Sequence, residues 1–122
     1  MPATMPQPEV MAPEAPRRVD PSRVEAVHLF HDELILPIRG WCSARADRIS
    51  DCHLVMRRGE IVVYIIQREQ RFDFALMREL STLTMQLIER DWPVDTKLLP
   101  ACTPDELTAF IDPRQTVLSF RV

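Results

Sequence analysis

Three periods of apolar spacing follow one another along this chain. Val24, Val27, Phe30 or His31, Leu34 and Ile38 recur at steps of three and four, the stripe of an amphipathic helix. Ser22 and Glu25 have capping-box spacing after Asp20-Pro21, so this helix is predicted to start at Ser22. Pro37 cannot donate to a helical ladder, which predicts an end or kink near Leu36. A further turn or two would carry Ile38, Trp41 and Cys42 to about Ala46. Residues 52–57 and 60–68 then read as a hairpin turning at Arg58-Gly59. Arg suits positive φ poorly, so a type I turn with a bulge is preferred there to a two-residue type I′ loop.

The second strand of that hairpin is apolar on both sides. Ile61, Val63 and Ile65 point one way, and Val62, Tyr64 and Ile66 the other. Such a strand needs cover on both faces. A long helix over residues 73–91 supplies one cover. Asp73 is its N-cap, Leu76, Met77, Leu80, Leu83, Thr84, Leu87 and Ile88 are its stripe, and Pro93 stops it. The other face calls for the first helix or a second copy of the chain. Ile61, Val62, Val63, Tyr64, Ile65 and Ile66 are therefore the candidate interface of a homodimer.

Val94, Thr96 and Leu98 alternate with Asp95 and Lys97, a third strand. Thr103-Pro104-Asp105-Glu106 is a strong helix start, for a short helix carrying Leu107, Phe110 and Ile111 and ending before Pro113. A last strand occupies residues 115–122. The order is α-β-β-α-β-α-β. It predicts an α+β fold, with helices packed on a mixed or antiparallel four-stranded sheet.

Composition narrows the picture. With 122 residues, 46% apolar and 27% charged, a single packed domain is expected over residues 21–122. Five prolines in residues 1–20 exclude a helix or ladder there and predict a disordered tail. The formal net charge of -3 argues against nucleic acid as a partner. Three cysteines without a Cys-x-x-Cys pair, and no secretory leader pattern, predict reduced thiols in the cytoplasm. No apolar run is long enough for a membrane span. Only Gly40 and Gly59 are glycines, which excludes a P-loop and a dinucleotide fingerprint, and no cofactor is predicted.

Two constellations carry chemistry. On the first helix Glu25, His28, His31 and Asp32 include an i, i+3, i+7 set that could hold zinc or iron in a metal-binding module. The competing reading is a solvated polar face with His28 paired to Asp32. Cys52 and His53 are adjacent on a strand and point to opposite faces. Cys52 is then a core residue, and His53 a half-buried structural histidine beside Tyr64 or Val63.

The second constellation is Ser43, Asp51 and Asp95. Ser43-Ala44-Arg45-Ala46 before Ser50-Asp51-Cys52-His53, and Pro93-Val94-Asp95 after a long helix, resemble parts of the minimal nucleotidyltransferases of the polymerase-β type. The resemblance covers about residues 40–120. It implies Ser43, Asp51 and Asp95 as site residues and carboxylates that share two metals. Cys42 stands where that pattern has glycine, and His53 where it has a second Asp, so it implies a degenerate relative. The leading expectation is a non-enzymatic adaptor or chaperone-like domain acting as a homodimer. Its layout is similar to that of small acidic secretion-chaperone-like dimers.

Overall fold

The computed structural model describes residues 21–122, with side chains described from Glu25 onward. The Pro-rich segment 1–20 and the Ser22 capping box lie outside what is described. Contacts divide the chain into two compact units, Met1–Ile35 and Leu36–Val122.

The first unit holds helix α1 (Pro21–Leu29) and a π-helical segment (Phe30–Ile35). Val27 and Leu29 are exposed, so the expected stripe is not continuous here; among the described residues of this unit only Leu34 and Ile35 are buried. The wide turn precedes Pro37. A residue that returns no N–H to the ladder, and whose ring crowds the carbonyl four residues back, is accommodated by opening the helix into a π turn. The end or kink predicted near Leu36 falls where the π-helical segment gives way to helix α2 (Leu36–Ser43).

In the second unit, strands β1 (Ile49–Arg57), β2 (Glu60–Gln67), β3 (Val94–Leu99) and β4 (Thr116–Arg121) form one sheet in the order β3-β2-β1-β4. The pairs β1–β2 and β1–β4 are antiparallel, and β2–β3 is parallel. The fold is therefore α+β with a mixed sheet, as the order of elements predicts. Helix α3 (Phe74–Glu89) makes the crossover between the parallel strands, and the short α4 (Pro104–Leu107) precedes β4.

The hairpin differs from expectation. Arg57 pairs with Glu60, leaving a two-residue loop in which Arg58 has φ 54° and Gly59 φ 81°. Both central residues are left-handed, the type I′ geometry that matches strand twist. Strand twist over a tight register has overridden the preference of Arg58.

One face of the sheet carries Cys52, Leu54, Val63, Ile65 and Thr96. Helix α3 buries Leu76, Leu80, Leu83 and Leu87, and its Thr84 hydroxyl lies 2.6 Å from that of Thr96. Helix α2 reaches the same face, where the thiols of Cys42 and Cys52 meet and Arg39 stacks 4.5 Å from the centroid of Phe120. Glu79 of α3 bonds Arg45 at 2.7 Å and Arg48 at 3.1 Å, tying α3 to the α2–β1 connection. The opposite face carries Val55, Val62, Tyr64 and Ile66. The segment that contains α4 closes it, with Ile111, Leu107, Cys102 and Leu99 packed against those four. Every residue from Ile61 to Ile66 is at most 5% exposed within the single chain. The second face of β2 is thus covered in cis, by a segment that neither the first-helix nor the second-copy alternative named.

Among the described residues Gln67 is the buried polar residue of the core. Its amide donates to the carbonyls of Glu69 (3.4 Å) and Arg71 (2.8 Å) and accepts from the N–H of Asp73 at 3.0 Å. It folds the 68–73 loop and delivers Asp73 as the N-cap of α3, whose side chain accepts from Leu76 N–H at 2.9 Å.

Two substitutions check this account by urea denaturation. Replacing Gln67 with Met keeps the volume but orphans buried backbone groups, so a loss of about 1–3 kcal/mol is expected. Arg58→Asn removes left-handed strain and should gain about 1 kcal/mol with an unchanged m-value. A stabilised Gln67→Met variant, or a destabilised Arg58→Asn, contradicts the stated roles.

Candidate functional site

The residues singled out by sequence do not converge. Glu25, His28, His31 and Asp32 are all exposed, and His31 Nδ1 lies 3.0 Å from its neighbour Asp32. Among the described residues no three metal-binding side chains form a group. The π turn carries His31 and Asp32 out of α-helical spacing, which breaks the i, i+3, i+7 alignment. Ser43 ends α2, on the helix-covered side of the sheet. Asp51 is level with Ile66 and Leu99, whereas Asp95 is level with Val62. Asp51 and Asp95 are therefore about 13 Å apart along the strands and about 10 Å across them. Asp95 instead pairs with Lys97 at 3.3 Å. Two metals cannot bridge such carboxylates.

Convergence occurs elsewhere, on the β1–β4 half of the sheet. Alternation puts Asp51 and His53 on one face of β1. Antiparallel pairing sets His53 opposite Ser119 and Asp51 opposite Arg121. Val122 N–H donates to Ser50 C=O at 2.9 Å, so Ser50–Val122 is a hydrogen-bonded pair. The two pairs that matter are then of the non-hydrogen-bonded kind, in which facing side chains come closest.

The result is a relay. His53 Nδ1 lies 2.7 Å from Ser119 Oγ, and His53 Nε2 lies 2.5 Å from Asp51 Oδ2. Ser50 Oγ donates to the other oxygen of Asp51. Burial pushes the Asp51 carboxyl up, but hydrogen bonds from His53 and Ser50, with the charges of His53 and Arg121, hold it below its ordinary value. An ionised Asp51 can only accept, so Nε2 carries the proton toward it. In the neutral imidazole this leaves Nδ1 to accept from the Ser119 hydroxyl. Ser119 itself is exposed, while the His53 side chain is 16% exposed.

The relay forms the floor of an open cleft of about 680 Å³, walled by Cys102, Pro104 and Leu107 and edged by Arg68 and Arg121. Arg68 is committed to structure, since it donates to Ala46 O at 2.6 Å and Val122 O at 3.1 Å. Burial, with the negative charges of Asp51 and Glu106, pushes the Cys102 thiol up and disfavours a thiolate. The hydrogen bond with Cys42 and burial push the Cys52 thiol well up, consistent with a core residue.

The sequence leaves His53 beside Tyr64 or Val63; the register pairs it with Tyr64, and the sequence reading does not include Ser119. The available signal was alternation: Asp51 and His53 at i, i+2, and Ser119 and Arg121 at i, i+2 in the last strand. Only the β1–β4 register joins the two pairs.

Comparisons with protein families, with curated proteins and with solved structures each return no match to the chain.

The depressed Asp51 carboxyl has a signed consequence. Its stabilisation is present above the unfolded value near 3.8 and is lost as pH falls through the lower folded value. The gap in urea midpoint between wild type and Asp51→Asn should narrow as pH drops below about 3.8. A gap that is constant or widens on acidification contradicts the assignment.

Proposed function

We propose that the protein binds a small organic carboxylate or carbonyl compound with an apolar tail in the cleft over β1 and β4. The observation that carries this reading is the relay of Asp51, His53 and Ser119 beside Arg121 on the floor of that cleft. A few convergent polar groups against apolar walls are what small-molecule sites offer. Arg121 supplies the positive charge for an anionic oxygen, and Ser119 and His53 supply hydrogen bonds. Leu107 and Pro104 give an apolar wall for the tail. Because Asp51 is engaged by His53 and Ser50, its charge does not face the ligand bare.

A second reading has its own observation. Phe74, Met77, Met85 and Ile88 of α3 are exposed, and with Ser81 they recur at steps of 3, 4, 4 and 3. The expected core stripe included Met77 and Ile88; both instead belong to this outer stripe, roughly opposite Leu76, Leu80, Leu83 and Leu87. Its spacing is symmetric about Ser81. An antiparallel copy of α3 would therefore meet it with Met77 on Met85 and Phe74 on Ile88. On this reading the contact of a homodimer would lie on α3 instead of β2.

Butyrate and benzoate, titrated into ¹⁵N-labelled protein, should shift the amides of His53, Ser119 and Arg121 together. Arg121→Ala should weaken either probe about tenfold with little change in Tm, about the worth of one charge-assisted hydrogen bond. No shift in that group up to the solubility of both probes ends the reading. For the second, sedimentation should show a concentration-dependent dimer that Met85→Asp abolishes, and a monomer at all concentrations ends it.

A further inference from the structure

We infer that Ser119 is an acyl-accepting nucleophile and that the cleft hydrolyses esters of short, apolar carboxylic acids. This rests on the cleft being a ligand site and goes beyond it by assigning a reaction. The geometry has the parts that covalent acyl transfer requires. The hydroxyl is within hydrogen-bond reach of an imidazole nitrogen, at 2.7 Å. The imidazole is held from its other nitrogen by a carboxylate at 2.5 Å, itself anchored by a second donor, Ser50. The nucleophile is exposed toward the cleft, while the base and carboxylate behind it are half-buried. That gradient is what a nucleophile needs and what a purely structural hydrogen bond does not. A constellation of this kind is recognised by geometry and roles and not by chain order.

An ester carbonyl enters with its oxygen toward Arg121. Ser119 Oγ gives its proton to His53 Nδ1 and forms a bond to the carbonyl carbon. The resulting oxyanion is met by the Arg121 guanidinium, in the role that fixed donors play in acyl transfer. The C–O bond to the alcohol then breaks, and His53 returns the proton to the departing alkoxide. Water enters, gives a proton to His53 and attacks the acyl-Ser119 carbonyl. Ser119 leaves with that proton and the carboxylic acid is released. No oxidant, reductant or metal takes part. Asp51 touches no reacting atom; it is a positioning residue that fixes the tautomer and ring orientation of His53.

The competing nucleophile in the cleft is Cys102. Its thiol is pushed toward the protonated form by burial and by Asp51 and Glu106. Ser119 has the base.

The test uses the full chain with p-nitrophenyl butyrate, followed by release of nitrophenolate and by intact mass, with peptide mapping of any butyryl adduct. An adduct on Ser119 and turnover above the buffer rate are expected. Ser119→Ala should lose the adduct, and His53→Gln should slow acylation by at least about 100-fold. Should His53→Gln prove poorly folded, Ser119→Ala, which removes only an exposed hydroxyl, carries the test alone. Asp51→Asn should lower the acylation rate and change its pH profile, which loss of folding alone would not produce. An adduct on Cys102, or no adduct on any residue, overturns the proposal. If butyrate still shifts His53, Ser119 and Arg121 in that case, the cleft remains a ligand site and only the nucleophile is lost. If butyrate shifts nothing, both readings fall.

Discussion

Strand β2 sets the terms for everything around it. Six consecutive apolar residues, Ile61 to Ile66, alternate between two faces, and each face left in water would forfeit about 1.5–3 kcal/mol per large side chain. The sheet therefore cannot exist as one layer with a wet side. Helix α3 meets the demand on one face with four leucines. The other face is met by the segment from Leu99 to Ile111, which contains a single short helix and depends on its Thr103 capping box for local order. A thin cover is sufficient there because the apolar patch it must hide, Val55, Val62, Tyr64 and Ile66, lies on only two of the four strands.

That economy places the cleft. The apolar patch ends at Val55; farther along β1 the same face carries His53 and Asp51, and β4 adds Ser119 and Arg121. A cover that packs on apolar surface has nothing to rest on over these residues. It stands off, and Cys102, Pro104 and Leu107 become a wall instead of a lid. The cleft is thus where burial on one half of a sheet face gives way to polarity on the other. The same boundary explains the burial gradient of the relay, with His53 next to the packed half and Ser119 on the edge strand.

The fold was legible in the sequence because its signals are local. Alternation through Ile61 to Ile66, the cap at Asp73, the stop at Pro93 and the capping box at Thr103 each act within a few residues. What was not legible depends on neighbours distant in sequence. The turn type at Arg58 is decided by strand twist and register, against the residue's own preference. Met77 and Ile88 are apolar at helical spacing and still lie outside, because a helix on a sheet buries only the arc that touches it. The relay is the extreme case. His53 and Ser119 are 66 residues apart, and neither is unusual alone. Half of it, Asp51 and His53, could be read from alternation, but the other half required knowing that β4 returns beside β1 and in which register.

Register is also what holds the relay together. A slip of one residue between β1 and β4 would set Cys52 level with Ser119 and turn His53 away from it, because successive side chains change face. Two irregularities confine the pairing. β1 is interrupted against β2 between Ile49 and Asp51, and against β4 between Leu54 and Val55. Between them residues 51–54 run regularly against Arg121 to Leu118. The faces of that regular stretch are fixed by burial: Cys52 and Leu54 are fully buried on the helix side. A slipped pairing would draw at least one of them toward the cleft and send a charged or polar neighbour into the leucine layer. The apolar residues that face α2 and α3 thereby hold the polar residues on the reverse side in place. The geometry of Asp51, His53 and Ser119 is maintained by a core that none of the three belongs to.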